Sequence, residues 1–479
     1  MTNTPVIIGT IVVYMGICLV LGFVAYRRTT NLSDFILGGR SLGSWVTAMS
    51  AQASDMSGWL LMGLPGLAYV AGINSIWLVL GLVAGTYFNW KFIAARLRTQ
   101  TERLGDSLTM PDYFERRFDD RSRVLRTLTA FFILVFFTFY TSSGFVATGR
   151  LFESLFGMHY HDAMFWGSLV MLAYTFFGGF LAVSWSDVLQ GTLMFLALVL
   201  VAAMGVAMTG GFGDMAAALE ARNPALLDPF VGEGGQAIGA MGIVSLLAWG
   251  LGYPGQPHIL ARFMAIRDAS EMPTARRVAM GWVVVVLAAA IVVGMAGILV
   301  LDPPLAGTDS EKVFVVMSAT FLHPVLAGIC MSGILAAIMS TASAQLLVAS
   351  SAFAQDFYKG LFRHDPGRVE LLWVGRGTVL VIAALAYALA FNPDNKVLDL
   401  VAWAWAGFGA AFGPAIVLSL YWRGMTRNGA LAGIVVGGLT VILWKQGSGG
   451  IFALYEMVPG VVLGTLAIWI TSRFSPPSG

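Results

Sequence analysis

Thirteen apolar runs, each about the length of one bilayer crossing as a helix, follow one another along this chain. They lie near 5–26, 42–70, 74–95, 124–149, 162–183, 187–209, 237–258, 278–301, 323–357, 370–391, 398–422, 429–446 and 453–472. Each is a continuous apolar block and not a ten-residue alternating segment, so a closed β-barrel is excluded and an all-α polytopic membrane protein is expected. Composition agrees: 57% of residues are hydrophobic, 11% are charged and the mean hydropathy is +0.78. A soluble globule carries about a quarter charged residues. The longest polar connections, 96–123 and 210–235, are too short to bury a core of their own, so residues 1–479 read as one integral membrane domain whose chemistry sits among the helices.

Charge sets an expected orientation. No Lys or Arg precedes Pro5, as a signal peptide would require, and Arg27 and Arg28 follow the first run directly. Basic residues beside a span stay in the cytoplasm, which puts the N-terminus outside and the C-terminus inside. Alternating from there places 23 of the 28 basic residues inside and leaves Arg150, Arg222, Lys312, Lys396 and Lys445 outside, an asymmetry that supports the span count. The net charge of +2 gives no basic field for nucleic acid. Cys18 and Cys330 make no disulfide framework and no zinc pattern. An HExxH signature is absent, and the five histidines, His159, His161, His258, His323 and His364, read mostly as span-end residues without pairing, so no enzyme is expected. A channel is disfavoured by the lack of a TVGYG-like filter.

Polar groups and helix breakers deep in a span are costly and mark functional sites. The second run carries Ser50, Ser54, Asp55, Ser57 and Gly58 within nine residues, followed by Gly63, Pro65 and Gly66. The serines share a helical face, and helix packing is the alternative reading for them. Asp55 has no obvious deep Lys or Arg partner in the neighbouring spans. The seventh run packs Trp249, Gly250, Leu251, Gly252, Tyr253, Pro254, Gly255, Gln256 and Pro257 together, where a continuous helix is improbable. Trp249 and Tyr253 are spaced to cover one face of a small molecule, or else to sit in an interfacial belt. These two interruptions are five spans apart and run in opposite directions. That is the sequence pointer to a LeuT-like inverted repeat of five plus five helices, 42–209 and 237–422, with the first span and the pair at 429–472 added. In the ninth run Ser340, Thr341 and Ser343 stand among small residues, where neutral oxygens suit a sodium ion or where helices simply pack.

The runs Asn31 to Gly66, Gly179 to Gln190, Trp249 to Met264, Gly333 to Lys359 and Trp403 to Pro414 closely resemble the bacterial sodium/proline symporters, a branch of the sodium:solute symporter family. The resemblance covers nearly the full chain and implies a single protein in the bacterial cytoplasmic (inner) membrane that imports L-proline with Na⁺, with membrane lipid around it and no obligate protein partner. Another small organic solute is the alternative cargo. It implies a sodium site from backbone oxygens of Ala53, Met56 and Ala337 with the hydroxyls of Ser340 and Thr341, and makes Asp55 essential for sodium use. Substrate is implied beside it at Ser57, Gly58, Trp59, Tyr140, Trp249, Tyr253 and Pro257. Arg40 matches the family's gate-region arginine, and Asp187, expected on an inner link near Trp185 and Ser186, is a candidate to pair with it. Pro254 departs from the pattern by standing where an aromatic residue is expected.

Overall fold

A computed structural model describes residues 4–26, 36–177, 180–362 and 367–475. Arg27, Arg28, Asn31 to Phe35, Gly179 and His364 lie outside the described residues. In chain order the helices are α1 (Thr4–Tyr26), α2 (Ser44–Asp55), α3 (Leu64–Ala71), α4 (Ile76–Phe88), α5 (Ala94–Arg103), α6 (Met110–Arg117), α7 (Val124–Phe156), α8 (Tyr160–Phe177), α9 (Phe180–Met208), α10 (Phe212–Arg222), α11 (Gly239–Leu247), α12 (Pro257–Ala265), α13 (Met272–Val300), α14 (Val313–Phe321), α15 (Pro324–Ser351), α16 (Arg368–Leu389), α17 (Val397–Tyr421), α18 (Arg427–Trp444) and α19 (Met457–Phe474). Among the described residues the only β pairing is in isolated bridges, such as Leu42 with Ile266. The described residues of the apolar runs lie mostly on helical backbone. Eight helical stretches of the described residues are long and apolar enough to cross a membrane, and two shorter apolar helices accompany them. Val12, Val20, Leu196, Val284, Trp373, Leu443 and Ile470 face outward uncovered, which suits lipid and not water.

One boundary differs from expectation. No break occurs at Trp185 and Ser186; α9 runs through both. Neither Trp nor Ser is a helix breaker. Asp187 is consequently a buried helical residue and not part of a link.

Two interrupted helices organise the centre. The first is α2, a break at Met56–Gly58, the π turn Trp59–Gly63 and α3. The second is α11, the tighter 3₁₀ stretch Ala248–Gly255 and α12, which starts on Pro257, a residue whose fixed φ and missing N–H suit a first helical position. They pass each other in opposite directions. At one end Leu42 N–H donates to Ala265 C=O (3.2 Å) and Arg267 N–H to Leu42 C=O (2.8 Å), joining the start of α2 to the end of α12. At the other end, beyond α3, Asn74 and Trp77 side chains both donate to Pro229 C=O. A side chain at Gly250 would overlap the backbone of Gly81 in α4, so glycine there lets the two main chains touch.

Capping tightens the periphery. The Asp120 carboxylate accepts from Leu125 N–H (2.7 Å) at the start of α7, from the Ser122 hydroxyl (2.6 Å) and from Arg427 (2.7 Å) at the start of α18. Burial pushes this carboxyl up, but those hydrogen bonds and the arginine's charge outweigh it and hold it below the usual carboxylate value.

Candidate functional site

The break in the first interrupted helix releases main-chain oxygens. In a continuous helix Ser57 N–H would bond Ala53 C=O, but it donates to Asp55 C=O (3.1 Å) instead. Leu60 N–H likewise bonds Ser57 C=O and leaves that of Met56. The freed Ala53 oxygen meets α15, where Ser340 Oγ donates to it at 2.7 Å and Thr341 Oγ1 at 3.4 Å. Ser340 Oγ also lies 3.1 Å from Ala337 C=O. Three residues of the expected sodium set on α15 and one on α2 are therefore gathered at one point. The oxygens are neutral and hard, a donor chemistry that fits Na⁺, and the described residues contain no cluster of three His, Cys, Asp or Glu that would favour a divalent ion. Gly58 is pressed between Ala147 and Ile338: a Cβ there would lie 2.9 Å from the first and 3.3 Å from the second.

Asp55 stands next to this point with a different set of contacts. Its Oδ2 accepts from the Tyr253 hydroxyl (3.0 Å), while its C=O accepts from Tyr140 (3.3 Å) and Trp59 (3.4 Å). Oδ1 has no hydrogen-bond partner. Of the described residues, three carboxylates are 0% exposed: Asp55, Asp187 and Asp356. Asp187 has Arg262 at 3.4 Å and Asp356 has Arg126 at 2.7 Å. Asp55 has no cation, which in a dry interior is costly unless a mobile one arrives.

Aromatic rings close around Asp55. Trp59 and Trp249 are 6.2 Å apart between centroids, and Tyr253 meets Trp405 edge-on at 5.0 Å. Trp405 Nε1 donates to Trp249 C=O (2.8 Å) and fixes that residue from α17. Trp59, Tyr140 and Tyr253 are each 1% exposed, so this state is closed at the site. Ser57 and Pro257 complete the set at the two breaks, both buried.

The expected pairing of Arg40 with Asp187 is not formed. Arg40 pairs with Asp106 (2.6 Å) and donates to Met264 C=O, Ser107 C=O and Thr101 Oγ1. Asp187 lies deeper, accepting from Ser50 Oγ (2.6 Å) and pairing with Arg262, whose Nε donates to Ser50 Oγ (3.1 Å). Arg262 lies beyond the seventh apolar run, which ends at residue 258, whereas α12 continues to Ala265. The apolar Ile259, Leu260, Phe263 and Met264 around it were the available signal. His258 was read as a span-end residue; it is 0% exposed, sits edge-on to Phe137 and Tyr140, and has no hydrogen-bond partner at either ring nitrogen. An apolar crevice lined by Pro257, Ala261 and Met264 of α12 and Leu347 and Val348 of α15 shares Leu108 and Thr109 with a charged cavity of about 350 Å³ lined by Asp106, Asp112, Arg116, Arg126 and Lys359.

Two interrupted antiparallel helices, freed carbonyls facing paired hydroxyls and a lone buried carboxylate define an ion-coupled membrane carrier. The comparisons with known proteins narrow the class. A model of the sodium:solute symporter family matches residues 35–437, and the chain belongs to that family. It is 50% identical over 475 residues to a sodium/proline symporter of Escherichia coli (strain K12), covering 98% of this chain and 93% of the relative. It is 48% identical over 455 residues to the high-affinity proline transporter PutP of Bacillus subtilis (strain 168), with 95% of each covered. Among solved structures, a substrate-bound, outward-open Na⁺-coupled sialic acid symporter superposes with a TM-score of 0.80 at 20% identity, over 98% of both chains.

Proposed function

We propose that this protein is a sodium-coupled symporter that imports L-proline across a bacterial cytoplasmic membrane by alternating access. The observation that carries the reading is Asp55: a completely buried carboxylate without a cation, beside a helix break whose freed Ala53 oxygen faces Ser340 and Thr341. The names of the relatives supply the cargo. In this reading the thirteen apolar runs all cross the membrane, the second to sixth and seventh to eleventh form the LeuT-like inverted repeat, and the N-terminus is outside. The Arg40 end then faces the cytoplasm.

Sodium is held by the oxygens of Ala53, Met56, Ala337, Ser340 and Thr341, with the Asp55 charge close by. Ion entry organises the break and raises the affinity for substrate, and linkage makes the effect reciprocal. The pyrrolidine ring packs against Trp249, Trp59 and Tyr253, the carboxylate meets free N–H groups at the start of a half-helix, and the crevice below Pro257 is the route inward. Proline's ammonium has only two N–H donors, so a primary amino acid would leave one unpartnered in a dry site. Alanine should compete weakly, and competition equal to that of proline would count against this arrangement.

The test is labelled proline uptake into proteoliposomes with and without an inward Na⁺ gradient, with Asp55→Asn in parallel. Accumulation that needs sodium and fails in the variant supports the reading. Sodium-driven current without proline uptake would retain the ion site and replace the substrate.

A further inference from the structure

The two helices that follow the proposed repeat, α18 and α19, stand as additions to the core in any reading of the fold. Their connection nevertheless reaches the substrate site. Trp444 at the end of α18 donates from Nε1 to Leu454 C=O (3.0 Å), which orders the connecting segment just before Tyr455. Tyr455 makes three contacts with three different parts of the molecule. Its ring stacks on Trp249, 5.8 Å between centroids and 21° between planes. Its N–H donates to Ser245 Oγ (3.0 Å) on α11, and its hydroxyl donates to Ala402 C=O (2.6 Å) on α17.

Three residues beyond Ala402, α17 carries Trp405, the residue that holds the Trp249 carbonyl. Trp249 is thus held at its backbone by Trp405 and at its ring by Tyr455, both referenced to the same turn of α17. The anchor is firm on the α19 side as well: Met457 packs into the space left by Gly409, where any side chain would collide with its sulfur. The stretch that bears Trp249 is 3₁₀, whose hydrogen-bond geometry is poorer than that of an α-helix, so an external support has a purpose there.

We propose that Tyr455 is a positioning residue for substrate binding: it sets the plane of the Trp249 ring and thereby makes the α18–α19 hairpin part of the substrate site. The proposal rests on the reading of Trp249 as a substrate contact. Losing the flat face behind Trp249 lets its ring rotate and weakens packing on a cyclic substrate, while the sodium oxygens on α2 and α15 are untouched.

The experiment measures proline KM, Vmax and sodium half-saturation at saturating proline in the full-length protein, normalised to the amount in the membrane. Tyr455→Leu should raise the KM about three- to tenfold, the worth of an aromatic pair, and leave sodium half-saturation unchanged. Tyr455→Phe keeps the ring and should stay near the parent KM. Trp249→Leu should raise the KM further, and adding Tyr455→Leu to it should cost nothing more, since the two act through one ring. Tyr455→Met serves the same comparison if leucine fails to reach the membrane. A KM unchanged in both the leucine and methionine variants, or raised as much in phenylalanine as in leucine, overturns the proposal. An unchanged KM in Trp249→Leu overturns the substrate-site reading itself, so the two failures are distinguishable.

Discussion

At the scale of single residues, buried charges separate what holds the molecule together from what works in it. Arg262 and Asp187 neutralise each other with Ser50 between them, and removing one partner leaves an uncompensated charge in a dry interior. Arg262→Ala should therefore destabilise by about 3–5 kcal/mol, and Asp187→Asn in the same chain should recover much of the loss in a thermal-unfolding assay. Asp55 behaves oppositely: Asp55→Asn removes a charge that has no cation, so the folded protein should persist while sodium-driven uptake collapses. Ser340→Ala should raise the sodium half-saturation roughly tenfold or more, because one of five oxygens is lost where no side chain replaces it. Asp55, Ser340 and Thr341 were legible in the sequence as polar residues in apolar surroundings. Arg262 and His258 were not, since one sits past an apparent span end and the other on it, and Trp405 and Tyr455 carry no local signal because an aromatic residue in an apolar run looks the same whether it faces lipid or substrate.

At the scale of elements, the interruptions were plain in advance because Gly and Pro crowd where helices otherwise run unbroken. How far a helix extends is not visible in the sequence: α12 outlasts its apolar run, and α9 continues through Trp185 and Ser186. Packing against neighbours, and not local propensity, decides such ends. Asp120 illustrates a peripheral element with a pH signature. Its folded value is depressed below the usual 3.8, so its contribution is complete above the unfolded value and disappears as the pH falls through the folded one. Asp120→Asn should lower the unfolding midpoint by a constant amount from pH 8 to pH 5, and the variant and parent curves should converge only below roughly pH 4. A gap that closes near neutrality would mean that another group supplies the effect.

At the scale of the whole molecule, one completely buried carboxylate among the described residues lacks a cation, and in the proposed cycle proline enters as a zwitterion. One sodium per substrate then moves one positive charge inward, and each 100 mV of potential adds roughly 2.3 kcal/mol of drive. Uptake in proteoliposomes should accelerate when an inside-negative potential is imposed at fixed sodium gradient, and an unaffected rate would argue for a compensating ion. The helical, lipid-embedded class was evident from thirteen apolar runs alone. The way α18 and α19 fold back on the centre was not, because that contact joins residues about two hundred positions apart and leaves no periodicity behind.

The opened helix also bears on inheritance. Ala53, Met56 and Ala337 are proposed to serve the ion through peptide oxygens, which every amino acid carries. No codon change can delete such a ligand; it can only crowd it. A genetic screen for sodium-blind alleles should therefore return losses at Ser340 and Thr341, but only bulky replacements at Ala53 and Ala337, with small ones passing silently.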